Sequence, residues 1–172
     1  MLTVGQSLPD FAGEALLPNG EFAPIKLADL KGKWVVLFFY PLDFTFVCPT
    51  EIQGFNRLHA EFAKLNTVVL GASVDSVHTH KAWTQHGLGK LDFPLIGDLT
   101  RDLAAGCGVL SKAGFSERAT FIANPEGVIE AITINSSNVG RSTEETLRTL
   151  QALQAGGLTA CGWTPGQALL NA

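Results

Sequence analysis

The sequence predicts an α/β fold with a central mixed β-sheet flanked by helices. Two apolar runs of strand length carry the first half of that prediction. WVVLFFY at 34–40 and TVVLGASV at 67–74 are each followed by a stretch of helical spacing, the alternation expected of parallel strands joined by helices. The second half rests on ATFIANP and GVIEAITINS, which flank Asn124-Pro125-Glu126-Gly127. That tetrapeptide is a hairpin turn and adds antiparallel strands to the sheet.

The run 34–40 has no alternation, so it reads as a strand buried on both faces. Ile52, Phe55, His59 and Phe62 recur at helical spacing, with Pro49 suited to the first helical position and Glu51 to the first turn, so 49–64 is predicted helical. A strand at 67–74 follows, then a helix over 76–86 carrying Trp83, a short strand within 93–98 and a short helix over 100–107. After the hairpin, Ser142 with Glu145 three residues on makes a capping box. It opens an amphipathic helix through Leu147, Leu150 and Leu153 that stops at Gly156-Gly157. The expected division is one domain over 1–157 and a tail over 158–172. The tail, LTACGWTPGQALLNA, lacks periodicity but is apolar enough to dock on its own domain or a neighbour.

With 172 residues, 46% hydrophobic and 16% charged, the chain suits one globular domain with a sizeable core. A net charge of -4 without a basic run argues against nucleic acid or an anionic membrane as partner. The start, MLTVGQSLPDF, has no basic segment leading into a long apolar stretch, so neither a signal peptide nor a membrane span is expected and the location reads as cytoplasmic. Three cysteines, Cys48, Cys107 and Cys161, do not make a disulfide framework, and the absence of CxxC leaves no thioredoxin-type dithiol or zinc ribbon. His78, His80 and His86 lie close in sequence but read as a solvated helix surface and not as a metal site. No phosphate-binding glycine loop occurs, and no cofactor is expected.

The chemistry centres on FFYPLDFTFVCPTE at 38–51. Cys48 falls between the loop after a central strand and a helix start, where free backbone N–H groups and the positive end of the helix dipole favour a thiolate. Pro49 fixes the turn, Pro41 ends the strand, and Thr45 brings a hydroxyl to the same loop. An ordinary cysteine is a few per cent thiolate at neutral pH, so full ionisation gains only about thirtyfold, or roughly 2 kcal/mol. Enzymes commonly need ~8 kcal/mol or more. The remainder has to come from donors that act in the transition state. Arg118, just before the strand at ATFIANP, is the arginine candidate.

The segment FFYPLDFTFVCPTE resembles the active-site loop of peroxiredoxins, specifically the typical 2-Cys, alkyl hydroperoxide reductase C group. SVDSVHTHKAW, GLGKLDFPLIGD, ERATFIANPEGVI, NVGRSTEETLRTLQALQ and CGWTPG follow in the family's order. The resemblance implies a thioredoxin-like fold with peroxiredoxin insertions and a thiol peroxidase acting on hydrogen peroxide and organic hydroperoxides. It implies that Cys48 is the peroxidatic cysteine, that Thr45 positions sulfur and peroxide, and that Pro41 shields the site. Arg118 would stabilise the thiolate and the leaving oxygen, Glu51 and Arg141 would orient Arg118, and Trp83 would be a packing residue. It also implies a homodimer, assembling in some members to a decamer, and a thioredoxin-like or flavoprotein disulfide reductant.

The resemblance weakens around the second thiol. Common members place the resolving cysteine four residues before the tail tryptophan, where Thr159 stands here. Cys161, two residues before Trp163, matches the second cysteine of a double-cysteine variant and is the resolving candidate, through an intersubunit disulfide with Cys48. Cys107 is either a small core filler or an alternative resolving thiol. Two other readings stay open: a 1-Cys peroxidase resolved by an external thiol, and a ring-forming holdase chaperone. The loop HGLG carries His86 for the first glycine of the Gly-Gly-Leu-Gly loop found in overoxidation-sensitive members, and the chain stops six residues past Gly166. Easy local unfolding and resistance to overoxidation are the expectation.

Overall fold

The computed structural model describes residues 1–170. The last two residues of the tail expected over 158–172 lie outside the described residues. Seven strands form one mixed sheet in the order β2-β1-β5-β4-β3-β6-β7. The strands are β1 (Ala12–Leu16), β2 (Phe22–Lys26), β3 (Trp34–Phe39), β4 (Thr67–Ser73), β5 (Leu95–Gly97), β6 (Arg118–Ala123) and β7 (Ile129–Asn135). The pairs β3–β4 and β4–β5 are parallel, and the other pairs are antiparallel. Among the described residues four α-helices accompany them, α1 (Cys48–Lys64), α2 (Val77–Trp83), α3 (Asp102–Gly106) and α4 (Thr143–Gln154), with a short 3-10 helix at Leu27–Leu30. The thioredoxin-like α/β architecture is thus present, with a mixed sheet as expected.

The central strand explains how the layers are held. Val35, Leu37 and Phe39 join one core with Leu103, Cys107 and Phe121, while Val36, Phe38 and Tyr40 join the other with Cys48, Ile52 and Phe55. A strand whose alternate residues feed two cores must be apolar throughout, which is why β3 shows no alternation. Phe38 stacks on Phe55 of α1 with ring centroids 4.2 Å apart. Full burial of such a ring contributes roughly 1.5–3 kcal/mol. Gly54 lets α1 approach α4, because a Cβ there would sit 2.9 Å from the Thr143 side chain.

Several expectations shift. The hairpin β1–β2 was not predicted, although Asn19-Gly20 between its strands is a hairpin signal and Gly20 takes φ +83°. Helix α1 begins one residue earlier than expected, so Cys48 is its first residue and Pro49 its second. The helix expected over 76–86 is α2, capped by Ser76, followed by a π-helical turn at Thr84–Leu88. His86 and Gly87 leave helical geometry inside that turn.

His80 overturns the solvated-surface reading of the histidines. It is fully buried, whereas His78 and His86 are exposed. It shares a stripe with Val77 and Trp83, the other buried residues of α2, at spacing three. In the tail, Trp163 is buried and its carbonyl accepts from Arg148 of α4 at 2.8 Å, while Leu158 bridges Leu170 within the tail itself. Among the described residues no helix is long and apolar enough to cross a membrane.

Candidate active site

Cys48 sits at the start of α1, in the core between that helix and β3, and its side chain is fully buried. No side chain caps the helix start. The sulfur accepts a hydrogen bond from Arg118 Nη1 at 3.3 Å. A guanidinium donor and a helix N-terminus act on the sulfur in the same sense, because each favours a negative charge there.

Strand alternation delivers Arg118 to this point. Ala119, Phe121 and Ala123 of β6 face the core that holds Cys107. Arg118, Thr120 and Ile122 therefore face the α1 side. Arg118 is held there by two further bonds, from Nη1 to Glu51 Oε2 at 2.7 Å and from Nε to the Ser137 carbonyl at 2.6 Å. Glu51 is one turn along α1 from Cys48, so the helix that carries the sulfur also carries the counter-charge of its donor.

Arg141 completes the group. Its backbone N–H and Nε donate to Glu51 Oε1, each at 2.8 Å, and Nη2 donates to Oε2 at 3.0 Å. Nη1 donates to the Ala119 carbonyl and to Thr120 Oγ1, and the guanidinium lies 5.6 Å from the centre of the Phe38 ring. Burial pushes the Glu51 carboxyl up, but the hydrogen bonds and charge of Arg141, with Arg118 behind them, hold it below its ordinary value. Cys48, Glu51, Arg118 and Arg141, scattered over the sequence, are brought into one buried cluster. Ser137, itself exposed, reaches the cluster only through its carbonyl, and no sequence signal marked it.

The loop between β3 and α1 is tethered from the other side. The Tyr40 hydroxyl donates to Asp43 Oδ1 at 2.8 Å, and Asp43 Oδ2 lies 2.7 Å from His80 Nδ1. His80 Nε2 donates to the Ile96 carbonyl at 3.1 Å, and the Asp43 backbone N–H donates to Asp75 Oδ2 at 2.9 Å. Burial, then the Asp43 charge, pushes the Tyr40 phenol well above its ordinary value. Tyr40 therefore stays a neutral donor. Tyr40→Phe leaves Asp43 one bond short in the interior, and the expected cost is about 1–2 kcal/mol. Urea denaturation measures it, and an unchanged midpoint would show that Tyr40 does not tether the loop.

Phe44, in the same loop, takes φ +55°, a left-handed conformation that costs a bulky residue roughly 1–2 kcal/mol. Its ring packs 5.7 Å from Trp83, which also lies 6.2 Å from Tyr40. Trp83 thus stands as packing beneath the loop. Pro41 is buried at the end of β3. Thr45 is in the loop, but its hydroxyl donates to the Leu42 carbonyl at 2.9 Å and makes no hydrogen bond to Cys48.

The other two cysteines are elsewhere. Cys107 lies in the core on the opposite face of the sheet from Cys48. Burial pushes its thiol up to about 12, with the Asp98 charge adding to the effect. Cys161 is exposed in the docked tail. Cavities of about 350, 380 and 490 Å³ do not reach Cys48: the first is lined by Leu8, Lys31, Lys33 and Glu126, the second by Pro18, Lys81 and Lys90, and the third by Asp10, Asp98 and Asp102. Among the described residues no cluster of His, Cys, Asp and Glu has a metal-site arrangement.

Residues 4–132 match the AhpC/TSA family. The chain is 52% identical to the chloroplastic 2-Cys peroxiredoxin BAS1 of Spinacia oleracea, over 95% of this chain and 66% of that protein, so it spans just under two thirds of that relative's length. It is 46% identical to the putative peroxiredoxin ycf42 of Porphyra purpurea, over 99% of this chain and 90% of that protein. Among solved structures, the reduced 2-Cys peroxiredoxin of Plasmodium vivax superposes with a TM-score of 0.95 at 33% identity, covering 98% of this chain and 92% of that one. AhpC of Enterococcus faecalis superposes with a TM-score of 0.88 at 40% identity, covering 94% and 99%.

Proposed function

Because the chain belongs to the AhpC/TSA family, and within it to the group of 2-Cys peroxiredoxins and AhpC proteins, we propose that it is a thiol-dependent peroxidase for hydrogen peroxide and organic hydroperoxides. The observation that carries this reading is the 3.3 Å hydrogen bond from Arg118 to Cys48 Sγ at a helix start. The Cys48 thiolate attacks the terminal peroxide oxygen, the O–O bond breaks, and the departing oxygen takes a proton to leave as water or an alcohol. Cys48 becomes a sulfenic acid. Arg118 serves both ends of the step, by favouring the thiolate beforehand and the charge on the departing oxygen during it. Thr45 and Pro41 shape the pocket around the sulfur, and Glu51 and Arg141 keep Arg118 aimed.

Cys161 then resolves the sulfenic acid. Its thiolate attacks the Cys48 sulfur, the S–O bond breaks, and hydroxide leaves and is protonated to water. A disulfide needs Cα atoms within about 7 Å, and a buried helix start does not offer that to an exposed tail residue. The first turn of α1 unwinds and the tail loosens as the bond forms. The bond joins two subunits of a homodimer, which assembles further to a decamer. Exposed Phe44 and Phe46 beside the site, and Ile134 on the edge strand β7, are apolar surface suited to contacts between copies. A thioredoxin-like protein or a flavoprotein disulfide reductase returns the thiols. The sparse cysteines suit a reducing, cytoplasmic compartment.

The test is one equivalent of peroxide on the reduced protein, followed by a non-reducing gel and disulfide mapping. The wild type converts from monomer to a Cys48–Cys161 linked dimer. Cys161→Ser abolishes the dimer band, and Cys107→Ser leaves it. If Cys107→Ser is instead the variant that loses the band, the resolving role passes to Cys107. If the reduced wild type consumes no peroxide, the peroxidase reading fails, and if Cys48→Ser consumes it at the wild-type rate, Cys48 is not the reacting thiol.

A further inference from the structure

The cavity of about 380 Å³ beside α2 is not lined by Cys48 or by any residue of the cluster around it. It opens between the Leu17–Gly20 turn, which joins β1 to β2, and the chain from Lys81 to Phe93. Its floor is apolar, formed by the buried side chains of Leu16, Leu91, Phe93 and Leu95. Lys81 and Lys90 line it as well, and among the described residues no carboxylate does. On a chain whose net charge is -4, an apolar hollow with only cations in its lining selects for an anion.

Neither lysine spends its charge elsewhere. Among the described residues neither is in an ion pair. Lys81 Nζ lies 5.1 Å from the centre of the Phe22 ring, a contact that steadies the side chain without a carboxylate. Glu21 and Asp92 adjoin lining residues in the sequence but do not line the cavity, and the Glu21 carboxylate accepts from Asn19 Nδ2 at 2.8 Å. The walls are held in advance. The Leu17 N–H donates to the Glu21 carbonyl at 2.8 Å, and the Gly20 N–H donates to the Leu17 carbonyl at 2.9 Å. On the other side, Asn56 of α1 donates to the Lys90 carbonyl at 3.3 Å and accepts from the Asp92 N–H at 2.7 Å. A hollow already formed costs a ligand little ordering of the protein.

We propose that this cavity is a binding site for a free carboxylate with a short apolar chain. The chain lies on the floor of Leu16, Leu91, Phe93 and Leu95, and the carboxylate stays at the rim between Lys81 and Lys90. The volume is at the small end of ligand pockets, which run from about 300 to 1,000 Å³, so the occupant is one small molecule. Lys81 is half-buried and Lys90 exposed. Each charge is therefore partly screened by solvent and contributes about threefold in affinity. The site stands apart from the peroxidase reading and holds whether or not Cys48 reacts.

The experiment is a saturation-transfer NMR titration of the reduced full-length protein at neutral pH with hexanoate, hexan-1-ol and acetate. Hexanoate binds with a Kd below about 5 mM, a modest return for so small a molecule. Hexan-1-ol, which keeps the chain and drops the charge, binds about tenfold more weakly. Acetate, which keeps the charge and drops the chain, does not bind. Lys90→Gln weakens hexanoate by about threefold, and Lys81→Gln with Lys90→Gln by about tenfold. Hexan-1-ol binds both variants as it binds the wild type, which shows the cavity intact. Hexanoate binding weaker than about 5 mM, or hexan-1-ol or acetate held as tightly as hexanoate, overturns the proposal. So does an unchanged hexanoate affinity in either variant. An equal loss of hexanoate and hexan-1-ol in the variants also overturns it, because the lysines would then act as packing and not as charge.

Discussion

Arg118→Ala lowers the rate of reaction between Cys48 and hydrogen peroxide by about a hundredfold or more, the scale expected for loss of a charged transition-state donor. The size follows from what ionisation can and cannot supply. Taking an ordinary thiol to full ionisation at neutral pH gains only about thirtyfold. For a thiol of ordinary pKa, a donor that acts solely by favouring the thiolate is bounded by that figure. Arg118 Nη1 points at the sulfur from 3.3 Å and is fixed by Glu51 and the Ser137 carbonyl, so it is already in place when charge shifts to the departing oxygen. The discriminating measurement is peroxide consumption at a pH where alkylation kinetics show Cys48 to be ionised in both proteins. A loss that stays near a hundredfold there assigns Arg118 to the transition state, and one below tenfold removes it. Folding survives the change, because Glu51 keeps all three bonds from Arg141. Arg118→Lys recovers only part of the rate, since one ammonium cannot reproduce the fork that spans Cys48, Glu51 and Ser137.

Glu51→Gln destabilises the folded protein by about 3–5 kcal/mol, the cost of stranding buried charge by removing its partner. Four donors converge on the Glu51 carboxylate, one from Arg118 and three from Arg141, and both guanidinium groups are buried. An amide accepts on one oxygen only and turns its own N–H groups toward the arginines. Chemical denaturation measures the loss, and a change below about 1 kcal/mol would show that solvent or a rearranged loop supplies the missing charge. The pH dependence has a definite sign. The folded carboxyl is held below its ordinary value, so its contribution is fully present above the unfolded pKa of about 4.3 and is lost as the pH falls through the folded value. Acid unfolding of the wild type below about pH 4 therefore includes a Glu51 component that Glu51→Gln lacks.

The histidines show where reading along the chain stops short. Val77, His80 and Trp83 lie on one stripe of α2, so helical periodicity alone would have put His80 inside. Its polarity argued for the surface, and only the Asp43 carboxylate and the Ile96 carbonyl, 37 and 16 residues away, make its burial affordable. Asn19-Gly20 was a local signal of the same kind for the β1–β2 hairpin. The strands around it are short and one holds Pro24, which weakened the pattern.

By itself the sequence determined the elements whose signals are local: the apolar run of β3, the Cys48-Pro49 helix start, the hairpin turn at 124–127 and the Ser142 cap of α4. Each depends on neighbours within a few positions, where sterics, capping and alternation act directly. The motif around Cys48 belongs to the same class. Tertiary structure decided everything that needs two distant segments at one point. It put Arg118 on the α1 side of β6, gave Glu51 two arginines, placed Cys107 across the sheet from Cys48, and tied the tail to α4 through Arg148. Charge pairing in a buried cluster is set by distance through space, and spacing along the chain carries no information about it until the sheet register is fixed.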